Sequence, residues 1–364
     1  MSGNGRTVGE SGSKSGALAG GRVTKTQFVK ELRDPSKEKE AVSSPFLVKF
    51  SAVAVDKNGK PYMNLVFMDK TGEIEGRLWD DVNQHLGQVV RDAFVLVEGK
   101  AQSYQNRKQI VISRMQVLRE DQIEPKDYIA EGTLDAQALH EQLLGYVASM
   151  KDPYYRALAE AVVRDDAEIV DRIKRAPAAK SVHHAYKTGL LEHVVSIVGI
   201  LDGLAGHYAP YVDRDLLFLG GIFHDIGKLW ELSYDRVTDY TTEGKLIGHL
   251  VMGVELVERK VRELEAQPGR LPGLFPEDKK LLVKHLILSH HGELEYGSPK
   301  RPKCLEAHIV HAIDDLDSKV NAIRMFIQQD PNPGRWTGLS RMYDRFFFKP
   351  DWALKAADGS PLGS

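Results

Sequence analysis

The sequence predicts a multidomain α and β chain, a small N-terminal β-barrel followed by an all-α bundle. Two changes of pattern along its 364 residues carry this. Between Phe46 and Leu118, short β-rich runs alternate with turn signals. From about Leu134 to Gln329, apolar residues recur at three- and four-residue spacing, with Gly and Pro at the joints. The length suits two or three domains.

The strand-like part is read in order. FLVKFSAVAV (46–55) runs into the turn DKNGKP (56–61), and YMNLVFMD (62–69) into the turn KTG (70–72). EIEGRLW (73–79) is followed by DDVNQHLGQVV (80–90), which can hold one helix. FVLVEGKAQSY (94–104), the turn QNRK (105–108) and QIVISRMQVL (109–118) complete five strands. The order β-β-β-α-β-β is that of an OB-fold, a barrel that commonly binds single-stranded nucleic acid. Aromatic and basic residues interleave there: Tyr62, Phe67, Trp79, Phe94, Tyr104, Arg107 and Lys108. Phe67 and Phe94 fit the barrel interior. Tyr104, Arg107 and Lys108, at a hairpin, are candidate contacts for bases and phosphates.

The helical part comprises segments such as LDAQALHEQLLGYVASM, GLLEHVVSIVGILDGLAGHY, RDLLFLGGIFHDIGKLWEL and LEAHIVHAIDDLDSKVNAIRMFI. A small hairpin is expected within 234–244, and no fixed-period repeat occurs. The predicted division is a flexible tail at 1–20, the barrel at 21–120, a linker at 121–134, the helical domain at 135–330 and an extension at 331–364. The extension's RWTGLSRMYDRFFFKP (335–350) is rich in Arg and aromatics, which suit RNA, a neighbouring subunit or packing against the bundle.

Bulk composition narrows the classes. One cysteine, Cys304, excludes a disulfide framework and a thiolate zinc cluster, and a reducing cytoplasm is the simplest setting. No apolar run approaches bilayer-spanning length, so no membrane partner is expected. Net charge is −2 overall, with residues 1–45 and 46–119 each at +3. A mildly basic front and an acidic back are compatible with nucleic-acid capture by the front.

Most of the 13 histidines lie in the helical part. His193, His224-Asp225, His249, His290, His291 and Asp314 each sit in or beside an apolar helix. A lone inward histidine is usually a hydrogen-bonded core residue. Such groups on five helices are costly to bury unless they share a partner, and a metal ion is one. Imidazole and carboxylate without thiolate suit Mn²⁺, Fe²⁺, Mg²⁺ or Zn²⁺. As neighbours on a helix, His224 and Asp225 diverge by about 100°, so Asp225 can bridge two ions. A bridging hydroxide there is a nucleophile for phosphate esters.

His193, His224-Asp225 and Asp314 resemble the H…HD…D signature of HD-domain metal-dependent phosphohydrolases, and His249 and His290 the extra ligands of two-metal members. HHAYKTGLLEH (183–193), GGIFHDIGK (220–228), LSHHGELEYGSPKRP (288–302) and IDDLDSK (313–319) resemble segments of the YhaM-type 3′-to-5′ exoribonucleases, which join an OB-fold to an HD domain. The resemblance implies two divalent ions, Mn²⁺ first, then Mg²⁺, Fe²⁺, Co²⁺ or Zn²⁺, held by His193, His224, Asp225, His249, His290 and Asp314. It implies Asp225 and Lys228 as catalytic groups, with Lys228 facing the phosphate, and Asp317 behind the ligands. His183, His184 and His291 become candidate substrate contacts. The implied activity is degradation of single-stranded RNA, and also DNA, to 5′-mononucleotides in a homo-oligomer. The rivals are hydrolysis of a cyclic dinucleotide or nucleoside triphosphate, and RNA binding without catalysis. The resembling proteins often carry two glycines before LLEH, where this chain has Thr188-Gly189.

Overall fold

A computed structural model describes residues 22–34, 38–105, 107–129, 134–179, 186–330, 332 and 334–350. The chain divides into two units, the first ending at Tyr128 and the second starting at Ile129.

The first unit opens with α1 (Val29–Leu32), then β1 (Ala41–Val55), β2 (Pro61–Asp69), β3 (Gly72–Leu78), α2 (Val82–His85), β4 (Phe94–Tyr104) and β5 (Arg107–Leu118). The strands close in the order β1-β2-β3-β5-β4. All neighbours are antiparallel except β3 and β5, whose parallel pairing of Glu75 with Gln109 through Leu78 with Ile112 shuts the barrel. Strand alternation sends Met63, Leu65 and Phe67 of β2 inward, with Ile74 and Leu78 of β3 beside them. Phe67 and Phe94 are buried, as the sequence suggested.

β1 begins at Ala41, five residues before the run legible in the sequence. Ser43, Ser44 and Pro45 hide it, because their partners are distant. Gln27 Oε1 accepts the Ser43 amide at 2.9 Å, and Ser44 Oγ donates to Gln27 O at 3.0 Å. Lys25 anchors the same segment from inside. Its ammonium donates to Pro45 O at 2.7 Å, lies 3.1 Å from Asp69 Oδ2 and sits 3.8 Å from the centre of the Phe46 ring.

The second unit is a bundle: α3 (Ala136–Ala148), α4 (Pro153–Val163), α5 (Ala167–Arg175), α6 (Gly189–His207), α7 (Arg214–Phe223) and α8 (Lys228–Glu231). A two-stranded ribbon follows, β6 (Leu232–Ser233) with β7 (Asp239–Tyr240), within the region expected to form a hairpin. Then come α9 (Thr242–Leu246), α10 (His249–Glu265), α11 (Glu277–Ser289) and α12 (Leu305–Gln329). Asp135, Asp152, Asp166 and Asp213 cap α3, α4, α5 and α7 by accepting first-turn amides.

Two expectations are corrected. The 19-residue α6 is long and apolar enough by composition to cross a membrane, although the sequence reading found no such run. Its apolar face packs in the bundle core, where Leu191, Ile197 and Leu201 are fully buried. The helix carrying His224 is also not continuous. α7 ends at Phe223, and tight bonds follow from Ile226 N to Phe223 O and from Lys228 N to Asp225 O. The His-Asp pair therefore sits in a turn between two helices.

Candidate metal centre and nucleic-acid surface

Four histidines reach one centre, and each has its Nδ1 engaged elsewhere. His224, at the end of α7, directs Nδ1 to Gly221 O at 3.0 Å. His290, just past α11, directs Nδ1 to Ile287 O at 2.9 Å. His193 on α6 meets Asp317 Oδ2 at 2.9 Å, and Ser196 Oγ steadies the same carboxylate at 2.7 Å. His249, first residue of α10, meets Glu231 Oε1 at 2.9 Å through Nδ1, and its amide donates to that oxygen at 3.0 Å. These acceptors favour a proton on Nδ1, which leaves the Nε2 lone pair for the centre.

The Nε2 atoms gather around Asp225, which is buried between them. Its Oδ1 lies 3.6 Å from His249 Nε2 and 3.5 Å from His290 Nε2. Its Oδ2 lies 3.5 Å from His224 Nε2 and 3.9 Å from His193 Nε2. Asp314 Oδ1 stands 3.2 Å from His193 Nε2. Two donor groups result, His193 with His224 and Asp314, and His249 with His290 and His291, each compact enough for one ion. Asp225 turns one oxygen to each group. His291 thus joins a donor group, a place the sequence did not assign to it.

Lys228 Nζ lies 2.6 Å from Asp225 Oδ2. Burial would lower its pKa, but Asp225 outweighs this and raises it. Burial would likewise raise Asp225, yet the charges of Lys228 and His224 hold it well below the usual carboxylate range. His193 is pushed down by burial but held up at about 9 by Asp314 and Asp317. Burial, with His290 and His249 beside it, pushes His291 down to about 4.

The donors fit divalent ions. Among the described residues, Asp225 Oδ1, His249 Nε2 and His291 Nδ1 are buried without a hydrogen-bond partner, which is costly unless something else satisfies them. Asp225 Oδ1 and His249 Nε2 face each other at 3.6 Å, His291 completes the donor group, and the set is nitrogen and oxygen only.

His183 and His184 lie outside the described residues. His311, which the sequence did not single out, directs Nδ1 to His290 O at 2.7 Å and so backs a ligand. Glu231 was not singled out by the sequence, since no spacing rule ties it to a histidine eighteen residues later. Gly227 was also missed. A Cβ there would lie 2.0 Å from His249 O.

On the barrel, Tyr62 and Trp79 stack across β2 and the end of β3, with centroids 4.7 Å apart and Trp79 partly exposed. Tyr104 at the β4–β5 hairpin is exposed, and so is Arg107, 3.6 Å from Glu75 Oε1. Lys108 is drawn to Glu38 Oε2 at 2.7 Å, and its side chain is largely covered.

Residues 190–319 match the HD domain and residues 46–118 an OB-fold nucleic acid binding domain. The chain is therefore an HD-domain, metal-dependent phosphohydrolase joined to a nucleic-acid-binding barrel. It is 34% identical over 315 residues to "3′-5′ exoribonuclease YhaM" of Halalkalibacterium halodurans, covering 86% of this chain and 94% of that relative. Against the Bacillus subtilis protein of the same name, identity is 33% over 314 residues, 85% of this chain and 95% of the relative. For that of Bacillus velezensis it is 34% over 314 residues, again 85% and 95%. By identity and coverage, the chain belongs to the YhaM family.

Proposed function

We propose that this chain is a 3′-to-5′ exoribonuclease that shortens single-stranded RNA, and also single-stranded DNA, to 5′-mononucleotides with two divalent ions, Mn²⁺ foremost. The observation that carries the two-ion reading is Asp225, whose oxygens face separate donor groups. His193, His224 and Asp314 would hold one ion, and His249, His290 and His291 the other. Bound there, the ions supply Lewis acidity toward a phosphoryl oxygen and a low-pKa water as nucleophile.

The chain's own residues do the rest. Asp317 and Glu231 fix ring orientation and proton position on His193 and His249. Lys228, paired with Asp225, has its ammonium at the centre, where it can neutralise charge building on the phosphate. Tyr62, Trp79 and Tyr104 offer rings to bases, and Arg107 a cation to phosphates.

The test is incubation of the purified protein with Mn²⁺ and 5′-labelled single-stranded RNA. A ladder shortening from the 3′ end is expected, and intact RNA overturns the exonuclease reading. Asp225→Asn should lose hydrolysis and keep RNA binding. A protein that spares RNA but hydrolyses a cyclic dinucleotide or nucleoside triphosphate would reassign the same centre.

A further inference from the structure

We propose that the segment from Arg335 to Lys349, folded back on the end of α12, is a second contact surface for single-stranded RNA, carried by the helical unit itself. The inference rests on the exonuclease reading and adds to it where the strand runs beyond the reacting end.

The segment is built, not loose. Trp336 bridges Phe348 and Ser340 bridges Arg345, so its two arms pair around a turn at 341–344. Thr337 N donates to Phe347 O at 2.9 Å and Lys349 N to Arg335 O at 2.7 Å. A buried ion pair between Lys349 Nζ and Asp330 Oδ1, at 3.0 Å, fastens it to the helix end. Gly338 N donates to the other oxygen of Asp330 at 2.8 Å.

Its aromatic rings divide into two sets. Phe347 packs inward on Phe326 of α12 and on Tyr343, with centroids 6.1 and 5.6 Å away. Trp336, Phe346 and Phe348 stay outside, 57%, 57% and 41% exposed. Three large rings left in water over so short a stretch mark an interaction site. Cations accompany them. The Arg335 guanidinium lies 4.9 Å from the centre of the Phe348 ring, and Arg341 and Arg345 are exposed.

Charge selects the partner. Residues 331–349 hold four Lys/Arg and one Asp, net +3, whereas residues 120–330 are net −10. Within an acidic unit, a local surface of exposed rings and guanidinium groups matches a flexible polyanion with bases to stack. α12 carries Asp314 and Asp317, and Phe326 follows nine residues later, about 14 Å along the helix at 1.5 Å per residue. Nine residues also turn Phe326 to the side of α12 opposite Asp317, so a strand with its 3′ end at Asp225 must pass around the helix to reach the segment.

The experiment compares the full-length wild type with two variants, Arg341→Glu/Arg345→Glu and Trp336→Ala. All three positions are exposed, so the fold should survive. RNA affinity is measured by fluorescence anisotropy without turnover, hydrolysis with Mn²⁺ on long single-stranded RNA and on a ribodinucleotide, and mass by light scattering. The double variant should lose about tenfold in long-RNA affinity and kcat/KM and show a shallower salt dependence. Trp336→Ala should lose a similar factor with an unchanged salt slope. Ribodinucleotide hydrolysis and mass should match wild type.

Unchanged long-RNA affinity overturns the surface. So does a parallel loss on the ribodinucleotide, which would place the effect at the reacting end. A change of mass overturns it in favour of a second copy of the chain as occupant. A wild type that hydrolyses neither substrate defeats the exonuclease reading alone, and the affinity measurement still decides the surface.

Discussion

Substituting Gly227 by Ala tests how the second donor group is held. Gly227 has ordinary helical angles, φ −63° and ψ −19°, so backbone freedom is not its purpose. Space is. A Cβ would stand 2.0 Å from His249 O, 2.7 Å from its carbonyl carbon and 2.8 Å from its Cα. Ordinary contact begins near 3.4 Å, so the first peptide of α10 must retreat by more than an ångström. His249 cannot retreat freely, because Glu231 Oε1 holds both its amide and its Nδ1. The overpacking should cost about 1–3 kcal/mol of stability. A catalytic group misplaced by about 1 Å should lose on the order of 100-fold in rate. The assay is RNA hydrolysis in saturating Mn²⁺, with bound metal per chain and thermal melting measured on the same samples. Expected are a rate loss near that factor, weakened binding of one ion and a melting point a few degrees lower. Gly203→Ala is the control. Nothing among the described residues lies within 4 Å of a Cβ at that helical position, so it should be neutral or gain roughly 0.5–1 kcal/mol. Wild-type rate and metal content in Gly227→Ala would refute the reasoning.

Glu231→Ala should weaken one of the two ions by about 10–100-fold, measured by metal titration. Glu231→Gln, which keeps an acceptor oxygen, should recover part of that affinity, and equal losses in both would argue against orientation. Removing metal with a chelator should lower the melting point of the helical unit, since buried donors such as Asp225 Oδ1 and His249 Nε2 lose their partners. An unchanged melt would deny that the donors hold ions. In the barrel, burial pushes Lys25 down to about 8 against the pull of Asp69. Between that value and the ordinary lysine range the unfolded chain binds more protons, so stability should rise with pH across this window, by about 3 kcal/mol in all. Denaturant titrations of the full chain on either side of the window read the slope, which should vanish in Lys25→Met. Thr188 adopts φ 71° at the start of α6, a left-handed conformation poor for a β-branched residue. Thr188→Gly should gain about 1 kcal/mol, less the hydrogen bond from Thr188 Oγ1 to Lys174 O. A loss of melting temperature in that variant would show that the bond outweighs the strain.

The sequence disclosed most where cost is local. Turn residues punctuate the barrel strands, and a histidine inside an apolar helix advertises a partner whatever the tertiary arrangement. Thus β2 through β5 and the six ligand candidates were legible. Features whose value is a distance to something remote were not. The first residues of β1 read as polar coil because Gln27 and Lys25 complete them. Gly227 and Glu231 read as an ordinary helix joint, and only the approach of α10 gives them a role. His291 looked like a substrate contact until the turn after α11 set it beside His249 and His290. The departure at Thr188 falls on a backbone conformation that glycine adopts at no cost.

α12 constrains how this chain can change in length. One uninterrupted helix bears Asp314 and Asp317 near its middle and the anchor of the C-terminal segment at its end. Adding or deleting a single residue between Asp317 and Phe326 would turn everything beyond it by about 100° and swing the segment to another side of the unit. Only changes close to whole turns leave both ends in phase. Tolerated insertions therefore belong in the 341–344 turn, where extra residues lengthen a loop tip without rotating either arm.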